Sequence, residues 1–239
     1  DIGAVNGRWA IVGALIKDGV DVTAADQHGW TALHYSAKNG HVAVSDAIMS
    51  AGADPGARNT NHVSPLDVAV GHGHTHTVIK MIERGADVKT ADVVGFTALH
   101  LADKKEIVDL LVEAGADVNA RNNEGNTALM YQSVDTELVT ALLGHGALPD
   151  LQNDEGKTVL HMVMHDSQGQ TMVDVVDLLL RAGADETLLD NDGNSPATCF
   201  EDETPFAYEA RKLLQRAPMD RAWRRRRGLS SQSRRTMAH

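Results

Sequence analysis

Apolar residues recur at the three- and four-residue steps of short amphipathic helices along most of the chain, and polar turn residues interrupt them at regular intervals. From Asp26 to Asp54 the sequence reads DQHGWTALHYSAKNGHVAVSDAIMSAGAD. Leu33, Ala37, Val44, Ile48 and Met49 form the apolar side of two antiparallel helices there, while Lys38, Asn39 and Gly40 separate them. Thr31 is placed to cap the first helix, because its side-chain oxygen can accept from the free N–H groups of the first turn. Gly52 ends the second helix by supplying the left-handed residue that a helix exit favours. Asp26 to Gly29 fits a turn with a left-handed last position, which predicts a hairpin finger ahead of the first helix. Neither helix is long enough to be stable alone.

The unit repeats. Thr-Ala-Leu-His at Thr31 returns as Ser-Pro-Leu-Asp at Ser64, Thr-Ala-Leu-His at Thr97, Thr-Ala-Leu-Met at Thr127, Thr-Val-Leu-His at Thr158 and Ser-Pro-Ala-Thr at Ser195, at intervals of 33, 33, 30, 31 and 37 residues. Exit glycines equivalent to Gly52 are Gly19, Gly85, Gly115, Gly146 and Gly183, and Pro65 and Pro196 stand at the first helical position, where proline is favoured. A unit of this size cannot bury its own hydrophobic face, so neighbours must stack. With a period near 33 and a T-P-L-H-like start, the chain resembles the ankyrin-repeat family over nearly all its length. The resemblance implies an all-α solenoid of about seven stacked helix pairs with short β-hairpin fingers, with repeats starting near residues 1, 26, 59, 92, 122, 153 and 190. It also implies that His34, His100 and His161 bond to the backbone of the adjoining repeat, and that His41 and His74 are the histidines that open the second helix.

The repeats are unequal. Residues 1–25 supply Trp9, Ile11, Val12, Leu15 and Ile16 as an apolar side but lack a finger and most of a first helix, so the chain is expected to be a fragment of something longer. His62 stands where the finger turn asks for glycine, a left-handed position that histidine adopts only occasionally, so that finger should be strained or differently turned. Repeats four and five have lost two or three residues at the helix–helix break, and their first helices should be a turn shorter. Repeat six gains His165 to Thr171 at the same break, expected as an exposed loop. The seventh repeat is eroded, with its two helices broken by Glu201 to Pro205, and reads as a C-terminal cap with a solvated outer face. The array is expected to span residues 1–217, as one elongated body. Residues 218–239 form a basic tail, read as a short helix from Met219 to Arg227 followed by disorder.

Charge divides the same way. The chain carries a formal charge of −11, yet residues 218–239 hold seven arginines against Asp220, giving +6 there and −17 on residues 1–217. Aromatics are only 4%, which suits thin layers packed through small residues better than one large core. A single cysteine, Cys199, excludes an internal disulfide framework and is compatible with a reducing compartment. No run approaches the roughly eighteen apolar residues a membrane span needs. A cytoplasmic or nuclear, monomeric protein is expected.

Catalytic chemistry is not indicated. No phosphate-binding loop, dinucleotide fingerprint, H-E-x-x-H, EF-hand loop or nucleophile elbow is present. No cofactor and no catalytic residue is assigned. The His72, His74 and His76 cluster has metal-ligand chemistry, but the repeat register turns its members in different directions, and no metal site is assigned. The resemblance implies instead a protein–protein interaction scaffold that holds a partner protein on its finger tips and concave face. Its variable positions are Gln27, His28, Trp30, Lys38 and Asn39, then Thr60, Asn61, Val63, Gly71 and His72, then Val93, Val94 and Phe96. Trp30, Val63 and Phe96 precede successive caps and would form a partly exposed apolar stripe, or would lie against neighbouring fingers and extend the core. Glu124, Asp154, Glu155 and Asp192 make the later fingers acidic. Two other readings stand beside this one. The array is the docking part of a larger enzyme whose catalytic domain lies outside this sequence, or Arg221, Arg224, Arg225, Arg226 and Arg227 bind nucleic acid or an anionic membrane.

Overall fold

A computed structural model describes residues 11–166, 169–199 and 205–226, with the side chains of those residues apart from 165, 166 and 218–226. The expectations for Trp9, for Glu201 and for Arg227 to His239 therefore lie outside the described residues, as do the side chains of Arg221, Arg224, Arg225 and Arg226. The chain divides into two compact units, 1–117 and 118–239, each described by itself.

Unit 1 contains α1 (11–17), α2 (Ala32–Lys38), α3 (Val42–Ser50), α4 (Pro65–Gly71), α5 (Thr75–Glu83), α6 (Ala98–Leu101) and α7 (Lys105–Glu113). First helices stack on first helices, α2 on α4 on α6, and second helices on second helices, α3 on α5 on α7. Leu33, Leu66, Leu99, Met81, Ile107 and Leu111 are the largest side chains buried between these layers. Unit 2 contains α8 (Ala128–Tyr131), α9 (Thr136–Gly144), α10 (Val159–Asp166), α11 (Gly169–Ala182) and α12 (Pro205–Arg226). There α8 packs on α10, and α9, α11 and α12 pack in sequence around Leu129, Leu142, Leu160, Met172 and Leu179.

The caps form as the repeat requires. Ser64 accepts from the Asp67 N–H at 3.2 Å while the Asp67 carboxylate accepts from the Ser64 N–H at 2.8 Å and its hydroxyl at 2.7 Å. In the His repeats, Nδ1 of His34 accepts from the Thr31 N–H at 3.1 Å, and Nδ1 of His161 from the Thr158 N–H at 3.1 Å. That leaves Nε2 with the proton, and it donates to the next repeat: His34 to the Val63 carbonyl at 3.1 Å and His161 to the Asn194 carbonyl at 3.1 Å. Burial lowers the pKa of both imidazoles, which keeps the neutral tautomer in place. His100 makes the same bond to the Thr97 N–H at 3.2 Å. His74 opens α5 and reaches the Lys38 carbonyl of the preceding repeat at 3.0 Å. Lys104, at the equivalent start of α7, reaches the Gly73 carbonyl at 2.7 Å.

Four departures from regularity come out differently in detail. First helices α6 and α8 are four residues long against seven in α2 and α4, the expected shortening. The finger at His62 keeps the ordinary turn, with the Asn59 N–H on the Val63 carbonyl and the His62 N–H on the Asn59 carbonyl, and His62 takes a φ of 60° to do so. Strain, not a different turn, is the outcome. Of the insertion, His165 and Asp166 lie in α10 and Gly169 to Thr171 lie in α11, which holds fourteen residues against nine in α9, so these residues extend the helices where a loop is expected. Residues added at a helix end lengthen the helix without rotating the apolar face beyond them, so Met172, Val173, Val175, Val176 and Leu179 stay buried. In the eroded repeat the segment after Ser195 makes one turn, with the Cys199 N–H on the Ser195 carbonyl, in place of a first helix. After it α12 runs unbroken from Pro205 to Arg226, so the boundary expected near residue 218 falls inside a helix.

Candidate functional site

The exposed residues of unit 1 are set by three fingers and the ends of three first helices. Each finger is a two-way turn closed by its own first residue. Asp26 Oδ1 accepts from the His28 and Trp30 N–H groups at 2.8 and 2.9 Å, and Asp92 Oδ1 accepts from those of Val94 and Phe96 at 2.9 and 2.8 Å. Neighbouring fingers are tied by backbone bonds, Thr60 N–H to the His28 carbonyl at 3.0 Å and Val93 N–H to the Asn61 carbonyl at 3.1 Å. Gln27, His28, Thr60 and Asn61 are exposed at the tips of the first two fingers. Val93 and Val94, each 50% exposed, tip the third.

Trp30, Val63 and Phe96 are half-buried, neither finger-tip side chains nor core. The Trp30 ring lies 5.5 Å from His34 and 5.2 Å from Tyr35, and Phe96 lies 5.4 Å from His100. The stripe therefore leans on the start of each first helix, and its outward edge is what remains accessible. Lys38 is exposed at the end of α2, and its Nζ is 5.7 Å from the Trp30 ring centroid, within cation–π range. Asn39 is exposed and donates to the Tyr35 carbonyl at 2.7 Å. Gly71 and His72 are exposed, and His72 bonds through Nδ1 to the Val68 carbonyl at 2.9 Å. His72 and His74 stack at 6.1 Å, but each ring is committed to a backbone carbonyl. Among the described residues no group of three or more His, Cys, Asp or Glu is arranged to hold a metal ion.

In unit 2, Glu124, Asp154, Glu155 and Asp192 are exposed on successive fingers tied by Asp154 N–H to the Glu124 carbonyl and Asn191 N–H to the Glu155 carbonyl, both at 2.9 Å. Part of that charge is met locally. Arg121 lies 3.5 Å from Asp154, Lys157 lies 2.6 Å from Glu155, and Asn126 donates to Glu124 at 3.1 Å.

Two sets of residues were not singled out in the sequence. Tyr35, 49% exposed, packs on Trp30 and donates its hydroxyl to Asp26 at 2.8 Å. Tyr131 holds the same place in unit 2 and accepts from Asn122 at 3.1 Å. The signal was an aromatic four residues after the cap, nine after the first finger residue. The second set is the residue before each finger. Arg58 donates to the Ala91 carbonyl of the next finger at 2.8 Å and sits 3.4 Å from the His62 carbonyl of its own. Arg121 repeats this on Gln152 and Gly125, and Gln152 on Leu189 and Gly156. A long donor at one register position in three fingers was a legible pattern.

Family models for ankyrin repeats match residues 28–60, 66–133 and 155–191, which together make up more than half of the chain. The chain belongs to the ankyrin-repeat family. It is 32% identical over 130 residues to human ankyrin repeat and SOCS box protein 6, covering 50% of this chain and 31% of that protein. It is 30% identical over 116 residues to intracellular phospholipase A2 of Caenorhabditis elegans, covering 44% of this chain and 11% of that one. The chain thus spans about a third or less of these two relatives. Among solved structures, the ankyrin repeat domain of Bcl-3 superposes with a TM-score of 0.73 at 24% identity, covering 89% of this chain and 94% of that one, a likeness of fold. The all-α ankyrin-repeat solenoid read from the sequence is the fold found. Among the described residues no helix is long and apolar enough to cross a membrane.

Proposed function

We propose that this chain is a protein–protein interaction module that holds another protein on the finger tips and the exposed ends of the first helices. Ankyrin repeats generally mediate such interactions. The observation that carries the reading here is that the ordered fingers of unit 1 present uncharged and apolar side chains to solvent, Val93 and Val94 above all. Exposed valines do nothing for the fold that polar residues would not, and an apolar patch on a rigid frame favours a partner. The tips of unit 2 offer a different, acidic chemistry of their own. The setting is cytoplasmic or nuclear, and the module has no catalytic role of its own.

The test is affinity capture with the whole chain and with Val93→Ser/Val94→Ser. The variant should melt like the parent and lose the proteins that the parent retains. Retention of an identical set by the variant would remove this face from consideration. A second reading is supported by the phospholipase relative, in which the matched region is a small part of an enzyme: the array docks a substrate or partner for a catalytic domain elsewhere in a longer protein. The complete open reading frame decides between them.

A further inference from the structure

The finger side of unit 1 carries a cation that meets no counter-charge among the described residues. Lys38 is exposed and, among the described residues, makes no ion pair; its ammonium lies over the Trp30 ring at 5.7 Å. Three other bases of unit 1 are committed: Arg58 to backbone carbonyls, Lys104 to the Gly73 carbonyl, and Arg84 to Asp46 at 2.6 Å. The acids on the same fingers are engaged within their own repeats. Asp26 is held by the Tyr35 hydroxyl and two N–H groups, and Asp92 by two N–H groups. The exposed tips, Gln27–His28, Thr60–Asn61 and Val93–Val94, contribute no carboxylate. Trp30 and Tyr35 are also fixed before any partner arrives, because the two rings pack at 5.2 Å and the tyrosine is anchored on Asp26. A pre-set aromatic pair with a cation on it loses little conformational freedom on binding.

We propose that this face binds an extended segment of another protein that places a carboxylate on Lys38 and an aliphatic side chain on Val93 and Val94. The proposal rests on the interaction reading above and adds the chemistry of the partner. Charge complementarity selects an acid at Lys38, since an ammonium over an aromatic ring keeps N–H donors pointing away from it. Spacing follows from the stack. Repeat layers lie roughly 8–10 Å apart, so Trp30 and Val93, two layers on, bracket about 20 Å, which an extended chain covers in about six residues.

The probe is a phage-displayed library of random dodecapeptides selected on the whole immobilised chain and eluted with excess soluble chain. Selected peptides should carry Asp or Glu about five to seven positions from an aliphatic residue. Selection on Lys38→Glu, an exposed change that leaves the melt unaltered, should exchange that acid for Lys or Arg at the same position. Lys38→Ala should weaken a selected peptide by about tenfold, equivalent to 1.4 kcal/mol. Peptides that lose binding to Val93→Ser/Val94→Ser but show no acidic position, or that bind Lys38→Glu as well as the parent, overturn this inference and leave the interaction reading standing. Peptides insensitive to both Val93→Ser/Val94→Ser and Tyr35→Ala remove both.

Discussion

In unit 1 the exposed tips read Gln27–His28, Thr60–Asn61 and Val93–Val94, whereas in unit 2 they read Asn123–Glu124, Asp154–Glu155 and Asn191–Asp192. The backbone beneath them is the same. Each tip is a turn closed by an Asp or Asn side chain, and within each unit neighbouring tips are tied by one N–H to carbonyl bond of 2.9 to 3.1 Å. Tip side chains project from that ladder without entering the layers below, so their chemistry changes from neutral to acidic with no change of turn. The layers below do not have that freedom: Leu33, Leu66, Leu99, Leu129 and Leu160 recur at one position, all fully buried. The fold and the recognition chemistry are thus written at different positions of one repeat.

The comparison breaks most visibly if equivalent core positions behave differently in the two units. Leu66 and Leu129 are each 1% exposed, so truncation of either to Ala should cost about 2–5 kcal/mol in urea unfolding. The two losses should agree within about 1 kcal/mol even though α8 is shorter than α4. A much smaller loss at Leu129 would show that the short first helix carries less of the stability of unit 2. The half-buried stripe is expected to fall below this. Trp30→Ala and Phe96→Ala remove packing on His34, Tyr35 and His100 but leave no closed cavity, and about 1–3 kcal/mol is the expected loss. A thermal melt unchanged by either substitution would place the ring wholly outside the packed layers.

Acid should separate the units more finely. Burial lowers the pKa of His34 in unit 1 and His161 in unit 2 from the ordinary value of 6.5. The unfolded chain therefore binds protons more readily at both sites, and stability is lost as pH falls from about 6.5 through the folded value. Asp67 acts the other way. Burial raises its pKa, so the folded state takes up the proton first; stability rises as pH falls through the folded value, reaching its full gain below the unfolded one. Arg58 opposes that shift and Asp92 reinforces it. No acid stands at the equivalent position in unit 2, where Met130, His161 and Thr198 occupy it. Amide exchange should show acid loosening unit 2 before unit 1, and Asp67→Asn should remove the difference. Equal loosening in the parent chain would exclude Asp67 as its source.

Much of this was legible because the repeat is a local code: a cap, a leucine, an exit glycine and a turn residue each follow from backbone geometry within a few positions. The histidines could be assigned structural roles for the same reason. Spacing alone makes the insertion a loop, since residues added inside a helix shift its apolar face, whereas added turns at a helix end leave the register beyond them intact. Trp30 and Phe96 came out half-buried because the residue before a cap can lean onto the helix it precedes, a choice of rotamer that spacing does not reveal. His62 illustrates a smaller limit: the position was identifiable, but not whether the turn or the residue would yield. The turn persisted, at a φ of 60°. His62→Gly should therefore stabilise unit 1 by about 0.5–1 kcal/mol, the relief of a left-handed side chain less the entropy glycine adds to the unfolded chain. A lower melting temperature would mean that the His62 ring makes contacts worth more than the strain.

The smallest effect concerns the donors that precede the fingers. Arg58, Arg121 and Gln152 each reach two carbonyls, one on their own finger four residues on and one at the same register position of the next finger. Ala25 holds that position before the first finger of unit 1 and has no donor to offer, although its backbone pairs with Thr31 as Arg121 pairs with Thr127. An arginine at 25 would meet the carbonyls of Gly29 and Arg58 in the places where Arg121 meets those of Gly125 and Gln152. Hydrogen bonds of this kind contribute about 0.5–1.5 kcal/mol each before the side chain is immobilised, and this site is exposed, so Ala25→Arg should gain only about 0.5 kcal/mol. Because the guanidinium would join two fingers, the gain should appear as slower amide exchange at Thr60, whose N–H already bonds to His28 across the same gap. Ala25→Lys reaches with one point donor and cannot span both carbonyls in a planar fork. It should give less than half the effect, and an equal gain from lysine would trace the stabilisation to charge alone.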